Sequence, residues 1–283
     1  MYVVFGVTGN TGKVVADTLL SQKKPVRVVV RDAAKGEPWR ARGAEVAVAS
    51  VDDAAAVESA LRGATGAYVL LPPDYASSTN LADKKRQVDA LARAIPASGV
   101  RHVVLLSSIG AQHPDGTGPI KSLHDAERRL GALGVPMTFL RAPYFMENFA
   151  SAIGAARAEG KLYALFERAV PMAATRDIGA AAAGLLVEGA TSTQVVNFHG
   201  PATSSPADAA RILSKLLGRE VSVVLVPEAH RVAALTAAGL TADLAGLFSE
   251  MGTGIDSGLV AFQPGRDLAG PTTLEQVLTA LVA

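Results

Sequence analysis

Residues 2–15 read YVVFGVTGNTGKVV, with glycines at Gly6, Gly9 and Gly12 between an apolar run and an amphipathic stretch. An apolar strand that turns through three glycines into a helix leaves few folds open. Glycine tolerates positive φ and lets another group approach the backbone. Unpaired N–H groups at the helix start, with the positive end of its dipole, favour a phosphate there. In this reading Gly6 makes the tight turn, Gly9 admits a pyrophosphate and Gly12 lets the helix pack on the strand. Thr8, Asn10 and Thr11 offer side-chain donors beside it. A glycine-rich turn with no ligand is the alternative. The spacing is G-x-x-G-x-x-G, which departs from the G-x-G-x-x-G of dinucleotide folds with an acidic ribose ligand.

Apolar, β-branched runs recur at 2–7, 26–30, 45–49, 67–71, 102–107, 137–142 and 195–200, and most are solidly apolar rather than alternating. Strands buried on both faces have that composition. The segments between several of them carry helical periodicity, so the chain is predicted to be α/β, a doubly wound parallel sheet of the Rossmann type. The rhythm changes near residue 150. Residues 1–150 read as a dinucleotide-binding domain to which about 176–200 return. Residues 151–175 and 201–283 read as a smaller, discontinuous α+β domain on the substrate side, ending in a Gly/Ala-rich helical tail.

Composition excludes several partners. Lys and Arg number 27 against 26 Asp and Glu, a net charge of +1, so no global field attracts nucleic acid or an acidic membrane. There is no cysteine, which removes thiolate chemistry and fits a reducing cytoplasm. The five histidines show no paired spacing, so no metal site is expected. Met1 runs straight into a strand, and no apolar run is long enough to span a bilayer. A small-molecule substrate is the expected partner, and the assembly is a monomer or a homodimer.

The second strand discriminates between dinucleotides. NAD-specific sites end it with Asp or Glu, whereas VRVVVRD places Arg31 at the tip. A guanidinium there can pair with a 2′-phosphate, and Lys35 adds charge nearby. NADP(H) is therefore favoured over NAD(H). Asp32 either orients Arg31 or caps a turn. Asp52, after the third strand, either contacts adenine or caps the next helix. Leu71 and Pro72 end the fourth strand, and Ser107 and Ser108 the fifth, at the carboxyl edge where open α/β sheets bind ligands. The serines sit beside the expected nicotinamide or simply form a turn.

GVTGNTG, VRVVVR, LLSSIGA, GVPMTFLRAPYFMENF, RDIGAAAAGLL and TTLEQVL together resemble the NmrA-like branch of the atypical short-chain dehydrogenase/reductases. The resemblance implies that Pro143, Tyr144, Phe145 and Asn148 line the nicotinamide and substrate pocket, while Arg141 closes the strand end structurally. Met146, the aromatics beside it, Tyr163, Phe166 and the loop residue Tyr75 extend the candidate pocket. Ordinary core packing accounts for such side chains more often.

Short-chain reductases generally use a Tyr four residues before a Lys to protonate a carbonyl oxygen. Here Lys121 is preceded at that spacing by Thr117. Relatives place a Lys or His four residues before a helix Glu. In this chain the Glu is Glu127 and that position is Leu123, with Lys121 and His124 on either side. Lys121 reads as a ribose or substrate ligand or a solvated lysine. His124 reads as an acid/base group or a first-turn helix residue. Orientation alone can support transfer to a readily reduced acceptor. The expected activity is NADPH-dependent reduction, by hydride transfer, of a small apolar quinone-like, carbonyl or enone compound. The alternative is a non-catalytic dinucleotide sensor acting through a protein partner. An isomerase or epimerase stands third, because those members keep the Tyr.

Overall fold

The computed structural model describes residues 1–283. Its strands are β1 (Tyr2–Phe5), β2 (Val26–Val30), β3 (Glu45–Val48), β4 (Gly66–Val69), β5 (Val103–Ser108) and β6 (Met137–Ala142). Then follow β7 (Tyr144–Phe145), β8 (Lys161–Ala164), β9 (Val170–Ala173), β10 (Gln194–His199), β11 (Thr203–Ser204), β12 (Ser222–Leu225) and β13 (Arg266–Ala269). The α-helices are α1 (Asn10–Ser21), α2 (Glu37–Arg40), α3 (Ala54–Leu61), α4 (Asn80–Ser98), α5 (Lys121–Leu130) and α6 (Ile153–Glu159). They continue with α7 (Thr175–Glu188), α8 (Pro206–Leu217), α9 (Glu228–Ala237), α10 (Ala242–Asp256) and α11 (Leu274–Val282).

Eight strands form one parallel sheet in the order β13-β10-β6-β5-β4-β1-β2-β3. The solid apolar composition of the strands is explained by burial on both faces. Val4 and Val28 pack against α1 and α7, whereas Val3, Phe5 and Leu105 pack against α3, α4 and α5. All seven predicted strands lie in this sheet. The chain order reverses beside β1, where β2 pairs on one side and β4 on the other. Loops leaving β1 and β4 therefore diverge at that point and open a crevice at the carboxyl edge.

A second core gathers Met146, Phe149, Leu162, Leu213, Ile255 and Leu278 from the segment after β7, β8, α8, α10 and α11. Two small sheets accompany it, β11-β9-β7 and β12-β8. The tail read as helical holds β13, whose backbone pairs with β10 at the sheet edge. Its sequence, RDLA, is too short and too polar to announce a strand, and only pairing with β10 makes it one. No helix is long and apolar enough to cross a membrane.

Candidate functional site

The turn after β1 is built as its glycines require. Gly6 has φ +69°, and Gly9 N–H donates to the Gly6 carbonyl at 2.9 Å. A Cβ on Gly12 would lie 2.4 Å from the Gly6 oxygen and 2.6 Å from the Phe5 oxygen, so α1 can approach β1 only without a side chain there. Gly9 is different: a Cβ would meet nothing closer than 3.4 Å, and the residue is exposed. Its bareness leaves the backbone open to approach from outside. No side chain caps α1, and the amides of Asn10, Thr11 and Gly12 donate to no carbonyl. Thr8 and Asn10 are exposed beside them. Thr11 points the other way: it is buried, and the Tyr68 hydroxyl donates to its Oγ1 at 2.9 Å. As the second residue of α1 it presents its side chain to the sheet, so only the Thr11 amide faces outward.

A cleft of about 260 Å³ runs from this turn across the ends of β2 and β3. It is lined by Gly6, Thr8, Arg31, Asp52, Pro72 and the α4 residues Asp83, Arg86 and Gln87. Arg31 is exposed and makes no hydrogen bond or ion pair within the protein. Asp32 caps the following turn by accepting from Ala34 N–H at 3.0 Å, so it does not hold Arg31. Lys35 is exposed on that turn and lies outside the lining. Asp53, not Asp52, caps α3 by accepting from Ala56 N–H at 3.0 Å, which leaves Asp52 free in the cleft. Leu71 is half-buried against the α3–α5 face. Pro72 is fixed through its carbonyl, which accepts from the buried Lys84 ammonium. Burial pushes that ammonium down, and Asp74 and Asp83 oppose the shift. The α4 face was missed in the sequence. Asp83, Arg86 and Gln87 stand at i, i+3 and i+4, a polar stripe on a helix that follows a cleft-lining loop.

At the other end of the carboxyl edge the serines separate. Ser107 is buried and donates to Glu127 Oε1 at 2.5 Å, while Arg141 grips both oxygens of Glu127 at 3.0 and 2.6 Å. Side-chain exposures of 6% for Arg141 and 10% for Glu127 make this a buried ion pair. Ser107 thus braces α5 against the sheet and spends its one hydroxyl proton on Glu127. Ser108 is half-buried, with its hydroxyl on the Ile109 carbonyl at 3.0 Å. His124 Nδ1 lies 3.0 Å from the Ala111 carbonyl. A carbonyl only accepts, so Nδ1 carries the proton and Nε2 presents a lone pair. Lys121 is not solvated: its ammonium donates to Glu250 of α10 at 2.7 Å, and Gly116 N–H donates to the same carboxylate at 2.8 Å. Burial pushes the Glu250 carboxyl up, but Lys121 and the Gly116 and Gly118 amides outweigh it and hold it below its ordinary value.

Pro143 is buried, and Tyr144 and Phe145 are half-buried. Tyr144 stacks edge-on against Phe166 at 5.4 Å and lies 5.8 Å from Phe149. Burial pushes its phenol up to about 12, and a hydrogen bond with Asn148 opposes the rise. Asn148 itself is exposed. Met146 is only 1% exposed and belongs to the second core, so it cannot line a substrate pocket from where it stands. Glu147, beside it, caps α7 by accepting from Thr175 N–H at 2.9 and 3.0 Å and from its hydroxyl at 2.7 Å. Tyr75 is 60% exposed on the outside of its loop and does not line the cleft.

Helix α10 fastens both rims. At its start Thr241 donates to the Ser77 carbonyl at 2.6 Å, and Asp243 accepts from Asn80 N–H at 2.8 Å. Further along, Glu250 holds Lys121 and Gly116 on the opposite loop.

A model of the NmrA-like family matches residues 2–261. The NAD(P)H azoreductase of Xenophilus azovorans is 30% identical over 253 residues, covering 89% of this chain and 86% of that protein. Quinone oxidoreductase 2 of Escherichia coli is 28% identical over 264 residues, covering 91% and 89%. A crystal structure of the NADPH-dependent quinone oxidoreductase QOR2 from Escherichia coli superposes with a TM-score of 0.80 at 25% identity over 99% of each chain.

Proposed function

The chain belongs to the NmrA-like family, and on that footing we propose that it is an NADPH-dependent oxidoreductase reducing a small, apolar, quinone-like or carbonyl acceptor. One observation carries the reading: a single cleft joins the glycine turn, at Gly6 and Thr8, to an Arg31 guanidinium that pairs with no group in the protein. The azo and quinone reductases among its relatives support the redox class.

Three features fit a phosphorylated dinucleotide. The free amides of Asn10, Thr11 and Gly12 suit the diphosphate. Arg31 suits a 2′-phosphate through charge-assisted hydrogen bonds, with Lys35 adding field from its turn. Asp52 and Pro72 suit the adenosine end. We assign residues 1–150 with 176–200 to this half. Residues 151–175 and 201–283, β13 excepted, form the substrate side.

When bound, the reduced nicotinamide supplies a hydride equivalent. The protein's own task is to orient the acceptor, exclude water and manage one proton. Alignment contributes about 7–11 kcal/mol to such a reaction and a general acid about 3–5 kcal/mol. Losing the Tyr of Tyr-x-x-x-Lys is therefore compatible with turnover of an easily reduced acceptor. Tyr144 stays protonated at neutral pH and can donate through its phenol. His124 presents Nε2 as an acceptor when neutral and as a donor when protonated. Pro143, Phe145 and Ser108 shape the nicotinamide side, with Lys121 held in reserve by Glu250.

The test mixes purified protein with NADPH and a panel of quinones, azo dyes and enones, following absorbance of the reduced cofactor. Turnover of at least one acceptor is expected. Tight NADPH binding with no turnover on any acceptor would leave a non-catalytic binder instead, and absence of binding would end the redox reading.

A further inference from the structure

One residue of the cleft lining carries a buried polar atom that the protein leaves unsatisfied. Gln87, on the α4 face one turn beyond Asp83, has its amide oxygen Oε1 buried with no hydrogen-bond partner. Three other buried polar atoms share that condition, on His102, Thr117 and Asn197, and none of those residues lines the cleft. Burying an amide oxygen without a donor is costly, so such an atom in a ligand cleft marks a contact the ligand completes.

The surroundings specify what must arrive. Arg86, the cation that α4 contributes to the lining, is engaged with Asp83, which also accepts from the Ser77 and Thr79 hydroxyls. Asp52 and Asp74 at this end carry carboxylates that only accept, and Ser50 adds one hydroxyl. Behind them the floor is apolar, formed by Phe5, Val29 and Ala49. An apolar bed edged by carboxylates and an unpaired amide oxygen fits a planar base that turns a donor-only group toward them. An exocyclic amine has that character, whereas a ribose hydroxyl both donates and accepts.

We propose that Gln87 reads the base of the dinucleotide, its Oε1 accepting from the exocyclic amine of adenine. The inference rests on the dinucleotide reading above and adds a specificity residue to it. In a hypoxanthine base a carbonyl oxygen replaces that amine, so acceptor would face acceptor.

The experiment titrates the protein with NADPH and with its deamino analogue, which carries hypoxanthine and an unchanged nicotinamide, following cofactor fluorescence. The wild-type protein is expected to bind NADPH at least about tenfold tighter than the analogue. Gln87→Met keeps length and helix propensity. It should lose roughly tenfold in NADPH affinity and narrow the preference to under about threefold, with affinity for the analogue nearly unchanged. That unchanged affinity also reports that the variant is folded. Equal wild-type affinities, or a preference that survives Gln87→Met, would overturn the assignment while leaving the dinucleotide site intact. If neither nucleotide binds, the site itself fails and Gln87's role fails with it.

Discussion

Replacing Arg31 by alanine isolates the discrimination between the two nicotinamide dinucleotides. The side chain is exposed and touches no acceptor in the protein, so its removal costs the fold almost nothing; surface changes of this kind stay within about 0.5 kcal/mol. Whatever is lost belongs to the ligand. A hydrogen bond to a charged group contributes about 1.5–3 kcal/mol, which converts to roughly 10- to 150-fold in affinity for a 2′-phosphate. NADH lacks that phosphate and should bind the variant within about twofold of the wild-type protein. Isothermal calorimetry with both cofactors, at two salt concentrations, measures the ratio directly. Salt should erode the wild-type preference, because an exposed pair is screened. Parallel weakening of both cofactors, or no change in either, would refute the argument that this guanidinium reads the phosphate.

The glycines give a paired prediction: Gly12→Ala forces a Cβ into backbone oxygens and should cost about 3 kcal/mol, seen as a melting temperature lower by roughly 5–10 °C. Gly9→Ala meets no such clash and should melt like the wild-type protein while losing NADPH binding; retained binding would remove the diphosphate from that turn. Glu127→Gln leaves Arg141 buried beside a neutral partner and should cost about 3–5 kcal/mol in urea unfolding, and a loss under 1 kcal/mol would mean the pair braces nothing. Glu250 supplies a pH dependence. Its folded carboxyl is held below the ordinary value of 4.5, so its contribution is complete above that value and is lost as pH falls through the lower folded one. Stability measured across that acid range should flatten in Glu250→Gln, and an unchanged profile would assign the acid loss to other carboxylates.

The sheet was legible because parallel strands covered on both faces must be apolar throughout, and seven of eight strands announced themselves that way. β13 did not, since RDLA has no strand character apart from its partner β10. The glycine turn and Arg31 were legible because local backbone demands and a strand-tip charge are written in consecutive residues. Ser107, Lys121 and Met146 were nominated by position along the chain. What decides their roles is a partner far away in sequence or a core closing over them: Glu127, Glu250 and the second core. Thr11 stands in the right turn, but its hydroxyl points at Tyr68. Gln87 was invisible for the opposite reason, as an ordinary polar helix residue whose meaning comes from the missing partner of one atom.

Helix α10 resembles a crossbar bolted at two places. Thr241 and Asp243 grip the segment around Ser77 and Asn80, and Glu250 grips the stretch from Gly116 to Lys121. Its 15 residues span roughly 22 Å as a stiff rod. A tug on one bolt is therefore felt at the other. If nucleotide draws the first segment inward, the ammonium of Lys121 shifts too, and by thermodynamic reciprocity whatever factor this lends to an acceptor settling near that ammonium, the acceptor returns to the nucleotide.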